Sequence, residues 1–181
     1  MINKEILDSI DLTELSTLIN DEEAKNYFLD IPGREHYKLL SYLSNEYTGE
    51  VILDIGTYKG CSSIALSYNT DNKVFSFDIK DYKVITRVPS NVEYIIGDIT
   101  SSDYNSLLIS SKLIMLDTFH DGNFESKFYY HLKNIKWKGT LILDDIYLND
   151  SMKSYWEGIV EEKIDLTKYG HYTGTGLVKI L

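Results

Sequence analysis

Val51-Ile-Leu-Asp-Ile-Gly-Thr-Tyr-Lys-Gly60 is the stretch that decides the fold. Its first five residues are almost continuously apolar, as in a strand covered on both faces, and Gly56 then turns the chain. Gly60 opens a segment, about 60–68, that reads as helix. A helix start leaves backbone N–H groups unpaired, so strand, glycine turn and helix in that order make a corner suited to a phosphate or a carboxylate. The spacing is Gly-x-x-x-Gly, unlike the Gly-x-Gly-x-x-Gly of dinucleotide folds. A tight βα turn without a ligand is the plainer account of the same glycines.

Outward from this stretch the pattern repeats. Short apolar runs at 73–79, 92–98, 113–117 and 140–145 predict four more strands, with crossover helices at about 60–68, 101–110, 123–133 and 149–160. Two final runs, 163–169 and 176–181, are joined by a loop rich in Gly and Thr, too short for anything but an antiparallel connection. Before residue 48, Ile6, Ile10, Leu15 and Leu18, then Tyr37, Leu40 and Leu43, recur at helical spacing, with acids at 21–23 and a break at Pro32-Gly33. The expectation is one α/β domain over 1–181. Two or three helices fill 1–47, and a Rossmann-like core over 48–181 carries a mostly parallel sheet ending in an antiparallel hairpin, with helices on both faces.

A chain of 181 residues can bury its own core, and its formal net charge of −10 repels phosphate backbones, which disfavours nucleic acid as a partner. Cys61 is the sole cysteine, so no intrachain disulfide forms. The N-terminal residues lack the blocks of a signal peptide and no apolar run is long enough to span a bilayer, so the expected location is cytoplasmic, away from membranes. Fifteen tyrosines suggest either a biased composition or an amphipathic rim around a sugar or aromatic pocket.

The predicted strands end in acids, at the edge where open α/β sheets bind ligands. Asp78 follows the glycine turn by about 20 residues, the place of an acid that accepts from ribose hydroxyls. Asp98 closes the third strand. Asp117 and the pair Asp144-Asp145 close the fourth and fifth, near enough for their carboxylates to converge. Unpaired, such carboxylates repel; a hard divalent cation such as Mg²⁺ or Mn²⁺ resolves the conflict. Successive strand residues face opposite ways, so Asp144 and Asp145 share an ion only if the strand bends there; the alternative is that one caps the next helix. His120, three residues beyond Asp117, is placed to take a proton from a hydroxyl. A solvated loop histidine is the alternative.

Val51-x-Leu53-Asp54-Ile55-Gly56-x-x-x-Gly60, with Asp78 and Asp98, resembles motif I and the acidic positions of class I S-adenosylmethionine (SAM)-dependent methyltransferases. The resemblance implies a seven-stranded sheet, with Gly56, Thr57, Tyr58, Gly60 and Ser62 at the methionine end of the cofactor. Asp78 would meet the ribose, and Asp98 with Ile99 the adenine. Asp117-x-x-His120 followed by Asp144-Asp145 is similar to the metal-dependent O-methyltransferases of macrolide sugars, the macrocin and mycinamicin type, and more distantly to catechol O-methyltransferase. That likeness implies Asp117, Asp144 and Asp145 as metal ligands, His120 as general base with Asp117 beside it, and a sugar or glycan acceptor, a deoxyhexose such as rhamnose among them. Gly33-Arg-Glu-His-Tyr37 and Tyr169-Gly-His-Tyr-Thr-Gly-Thr-Gly176 resemble segments of smaller glycan-modifying members. Glu35, His36, Tyr147 and His171 are therefore acceptor candidates, while His131 reads as a surface helix residue. A catechol-type enzyme and a non-catalytic SAM-binding subunit are the other readings.

Overall fold

The computed structural model describes residues 2–181. Seven strands form one sheet: β1 (Val51–Ile55), β2 (Lys73–Asp78), β3 (Val92–Ile96), β4 (Ser111–Leu116), β5 (Gly139–Asp144), β6 (Glu162–Asp165) and β7 (Thr175–Ile180). Their spatial order is β3-β2-β1-β4-β5-β7-β6. The first five pair in parallel; β7 runs antiparallel between β5 and β6. The chain walks outward from β1 to β3 and then returns to β4 on the other side of β1. That reversal opens a crevice at the carboxyl ends of β1 and β4.

Alternation along each strand sorts its residues to two apolar layers. Ile52, Val74, Leu113, Met115 and Ile142 face α1 (Lys4–Ser9), α3 (Glu22–Leu29), α4 (Arg34–Asn45) and α5 (Cys61–Leu66). Leu53, Phe77, Ile114, Leu116 and Leu143 face α6 (Asn105–Ser110), α7 (Asn123–Asn134) and α8 (Asp150–Gly158). On α4, Leu39 and Leu40 are wholly buried, and truncating either to alanine removes about 2–5 kcal/mol. Ser41 and Ser44 on the same helix donate to the carbonyls of Ala65 and Leu66, at 3.0 and 2.6 Å. Small hydroxyl residues thus hold α4 closely against α5.

Among the described residues four helices, rather than two or three, precede β1, because the apolar spacing from Ile6 to Leu18 runs across two short helices, α1 and α2 (Thr13–Ser16), rather than one. Asn3 and Asp21 cap α1 and α3 by accepting from backbone N–H groups. The sixth strand is also shorter than the run 163–169 suggests, stopping at Asp165, whose carboxylate turns the chain by accepting from the Thr167 N–H. Residues 79–91 link β2 to β3 without a helix. Their backbone is paired instead with the N-terminal layer: Asn20 N–H donates to the Val84 carbonyl at 2.9 Å and Thr86 N–H to that of Leu18 at 2.8 Å, around an antiparallel bridge between Ile19 and Ile85. No helix among the described residues is long and apolar enough to cross a membrane.

Candidate active site

Two adjoining clefts open over the crevice. The first, about 490 Å³, is lined by Tyr58, Asp78, Asp98, Ile99, Phe119 and Phe124 among others. The second, about 380 Å³, lies under α3 and the start of α4, which supply Tyr27, His36 and Tyr37. Thr57, Ser62, Asp144, Asp145 and His171 line its floor. Gly56, Tyr58 and Asp117 belong to both. The clefts meet at the tips of β1 and β4.

That junction explains Gly56. Its φ is +94°, and a Cβ built there would lie 1.5 Å from the Asp117 carbonyl oxygen. Both strain and collision exclude a side chain. The Gly56 N–H is held by the Phe77 carbonyl at 2.9 Å, and the Asp117 N–H by that of Ile55 at 2.9 Å. Beneath the turn Asp54 is fully buried; its Oδ2 accepts from the Ser76 hydroxyl at 2.6 Å, and Ser76 is bonded in turn to Thr57. Burial pushes the Asp54 carboxyl up to about 6, against the opposing bonds from Ser76 and Ser62. In the first cleft Asp78 accepts from the N–H groups of Tyr58 (2.8 Å) and Lys80 (3.2 Å). Asp98 accepts from the side chain and backbone of Thr100, which hold it below the usual carboxylate range.

The second cleft gathers charge. Asp145 has φ +57°, so the chain folds over immediately after β5, and Asp144 and Asp145 both reach His171 although they are neighbours in sequence. Helix α8 is capped by Asn149, whose side chain accepts from the Met152 N–H at 3.0 Å, which leaves the aspartate pair out of that role. His171 Nδ1 lies 3.2 Å from Asp145 Oδ1 and 3.7 Å from Asp144 Oδ2, and His36 Nδ1 lies 3.6 Å from Asp144 Oδ1. His120 spans the remaining gap, with Nε2 3.0 Å from Asp117 Oδ1 and Nδ1 3.6 Å from Asp145 Oδ2. Its Nε2 contact is an ion-pair distance without hydrogen-bond alignment.

The fields follow from this crowding. Burial works to lower the His120 imidazole, but the Asp117 carboxylate beside it and the charges of Asp145 and Asp144 raise it to about 9. His171 rises to about 11 through the carboxylates of Asp144 and Asp145 beside it, against burial. Asp145, although burial opposes it, is held below the ordinary value by His171 and Thr173. Asp117 is raised by its removal from water and by Asp144, with His120 offsetting part of the effect. The carboxylates thus favour the protonated forms of His120 and His171 when no other cation is near.

The structure thus brings His36, Asp117, His120, Asp144, Asp145 and His171 together, and sets Gly56, Thr57, Tyr58, Ser62, Asp78, Asp98 and Ile99 along the clefts. Gly60 lines neither; its φ of +90° and the Ile85 side chain over it make it a turn residue. Two acceptor candidates fall outside. Glu35 precedes His36 on α4, and the step of about 100° per residue turns it away from the lining. Tyr147 donates its hydroxyl to Asp165 at 2.8 Å, tying the loop after β5 to β6. His131 is half-buried rather than a free surface group, 3.0 Å from Asn105 Oδ1.

Sequence reasoning missed three supports. Glu125, 1% exposed, accepts from the Thr118 hydroxyl and the His120 N–H at 3.0 and 2.9 Å, fixing the loop in which His120 has φ +52°. Its place on the same face of α7 as Phe128, Tyr129 and Leu132 was a signal that it is buried. Thr173 donates to Asp145, and the Tyr27 hydroxyl lies 3.3 Å from His171 Nε2. No sequence pattern marks those two.

No protein-family model and no curated protein sequence matches the chain. Solved structures do match. A putative caffeoyl-CoA O-methyltransferase from Staphylococcus aureus aligns with a TM-score of 0.66 at 16% identity, covering 97% of this chain and 96% of that one. An SAH-bound methyltransferase from Podospora anserina gives 0.61 at 14%, over 100% and 97%. The O-methyltransferase of Streptomyces achromogenes involved in tomaymycin synthesis, in complex with SAM, gives 0.57 at 19%, over 99% of both chains.

Proposed function

We propose, starting from a Rossmann-like fold shared with those methyltransferases, that this chain is a SAM-dependent O-methyltransferase acting with a divalent metal on a sugar hydroxyl. The observation that carries the reading is Asp117, which forms the wall common to both clefts and stands 3.0 Å from His120. Donor and acceptor would meet there. The first cleft suits the adenosyl part, with apolar Ile99 and Phe119 beside the acids Asp78 and Asp98. The bare backbone at Gly56 leaves room for the methionine part between Thr57, Ser62 and Asp117.

The residues also fit a cation. Asp144 Oδ1 and His36 Nδ1 are buried with no hydrogen-bond partner among the described residues, and Asp144 is shared by two groups of potential ligands, one with Asp117 and His120, the other with Asp145 and His171. Asp117, Asp144 and Asp145 would hold Mg²⁺ or Mn²⁺, which would lower the pKa of a bound hydroxyl and orient it. With a metal's charge beside it, His120 would be neutral and could accept the acceptor's proton as the acceptor oxygen attacks the donor's methyl carbon in line and S-adenosylhomocysteine leaves as the thioether. Glu125 and Asn149, bonded to the His120 N–H and carbonyl, would keep that imidazole in place. Exposed Tyr27 and Tyr172 beside His171 offer ring faces to a sugar, a deoxyhexose such as rhamnose included. A negative protein suits a neutral acceptor.

The test is methyl transfer from SAM to a panel of glycosides and catechols, with EDTA or added Mg²⁺ or Mn²⁺, read by mass spectrometry. Methylated glycosides that disappear with EDTA and return with metal are the expected result. Products only from catechols would move the acceptor class, and NADH binding in place of SAM would remove the enzyme proposed.

A further inference from the structure

We infer that the metal centre extends beyond its carboxylates to nitrogen ligands from His171 and His36, and so selects a first-row transition ion such as Mn²⁺ over Mg²⁺. The inference rests on the metal-dependent reading above and adds the identity of the ion. Two ligands placed about 2.1 Å from one ion lie about 3.0 Å apart at right angles and about 3.4 Å apart in a tetrahedron. His171 Nδ1 is 3.2 Å from Asp145 Oδ1 and 3.7 Å from Asp144 Oδ2. His36 Nδ1 is 3.6 Å from Asp144 Oδ1. The 3.2 Å separation matches such an edge and the other two lie a few tenths of an ångström beyond one, with Asp144, Asp145 and His171 presenting ligand atoms within 4.8 Å of one another. The Thr173 hydroxyl, 3.0 Å from the same His171 Nδ1, holds the place the ion would take.

The independent observation is a pair of stranded atoms. His36 is 5% exposed and Asp144 5%, and the two atoms that face each other, Nδ1 and Oδ1, have no hydrogen-bond partner among the described residues. A buried imidazole and a buried carboxylate left like this carry a large desolvation cost, which a shared ion removes. The other ring nitrogen of His171 is already engaged, with Nε2 3.3 Å from the Tyr27 hydroxyl. A ligating histidine is usually oriented in this manner, its second nitrogen held by an outer partner. Mg²⁺ prefers an all-oxygen shell, whereas imidazole with carboxylate suits Mn²⁺, Fe²⁺, Co²⁺ or Zn²⁺.

The experiment uses the whole chain stripped with EDTA, and measures Mn²⁺ and Mg²⁺ binding by calorimetry, SAM binding separately, and the Mn²⁺ complex by pulsed electron paramagnetic resonance. Mn²⁺ should bind on the order of 100-fold more tightly than Mg²⁺, with modulation from directly bound imidazole nitrogen. His171→Gln and His36→Gln should each weaken Mn²⁺ by a similar factor and diminish the nitrogen signal, while leaving Mg²⁺ and SAM binding within a few-fold. Thermal melting of each variant reports folding, and the wild-type nitrogen signal stands without any variant. Equal binding of the two ions, or absence of nitrogen coupling, overturns the inference and leaves a carboxylate-held metal enzyme. Methylation that proceeds in EDTA with no ion bound removes the metal from both. Loss of SAM binding alone removes the methyltransferase and spares the nitrogen-ligated centre.

Discussion

The two clefts differ in how their acids are kept. In the first, Asp78 accepts from the Tyr58 and Lys80 N–H groups and Asp98 from that of Thr100, so each acid has backbone partners before any ligand arrives. In the second, Asp117, Asp144 and Asp145 face three imidazoles across distances of 3.0–3.7 Å, with His36 Nδ1, His120 Nε2 and Asp144 Oδ1 left unpaired among the described residues. One half is finished by the fold; the other leaves buried polar atoms without partners. Locally satisfied acids are built to bind, and mutually frustrated acids are built to do work on what is bound.

Substitutions should separate the halves. The largest effect belongs to Asp117→Ala and Asp144→Ala, which should cut methyl transfer on the order of 10³-fold while SAM affinity changes little. Turnover that survives either change would dissolve the contrast, since the crowded acids would have no chemical task. His120→Ala should lower kcat on the order of 10²-fold with KM for the acceptor nearly constant. A loss confined to KM would make His120 a binding group. Asp78→Ala should weaken SAM about 10-fold or more, because it removes charged hydrogen-bond acceptors, yet leave kcat at saturating SAM intact.

The smallest effect concerns stability alone and involves Asp54, under the seam between the halves. Its carboxyl rises from 3.8 to about 6, so the folded state holds the proton more tightly than the unfolded chain. The stabilisation is complete below pH 4 and is lost as pH climbs through about 6, by at most about 3 kcal/mol. The charges of Asp117 and Asp78 act in the same direction, and the Ser76 and Ser62 hydroxyls against it. Asp54→Asn should flatten that slope in thermal melts between pH 4 and 7. An unchanged slope would mean that Asp54 is not its source.

Much of this was legible in the sequence for a simple reason. A parallel strand buried on both faces reads as an apolar run, and an acid at its end marks the binding edge, so Asp78, Asp98, Asp117 and Asp144 could be placed by counting. What was not legible depends on strands and helices meeting. His171 reaches Asp144 because β7 runs antiparallel beside β5 and pairs Thr175 with Asp144, four residues from the histidine. His36 arrives from a helix more than a hundred residues away in sequence. The bend at Asp145, φ +57°, is a backbone choice no local motif announces for an aspartate. Glu35 and Tyr147 line neither cleft for the same reason: one sits beside His36 on α4 in a different helical phase, and the other bonds to Asp165 on β6.

The strap between residues 18–20 and 84–86 has a practical consequence. With Lys59 bonded to Asp21 and Glu23, it pins the N-terminal helices over the sheet as a roof, and that roof supplies Tyr27, His36 and Tyr37. A shortened protein starting near residue 48 would lose the chamber's ceiling together with the buried Phe28, Leu39 and Leu40 that cover one face of the sheet. Anyone wishing to retune what this molecule accepts should therefore redesign the opening helices and leave the sheet untouched.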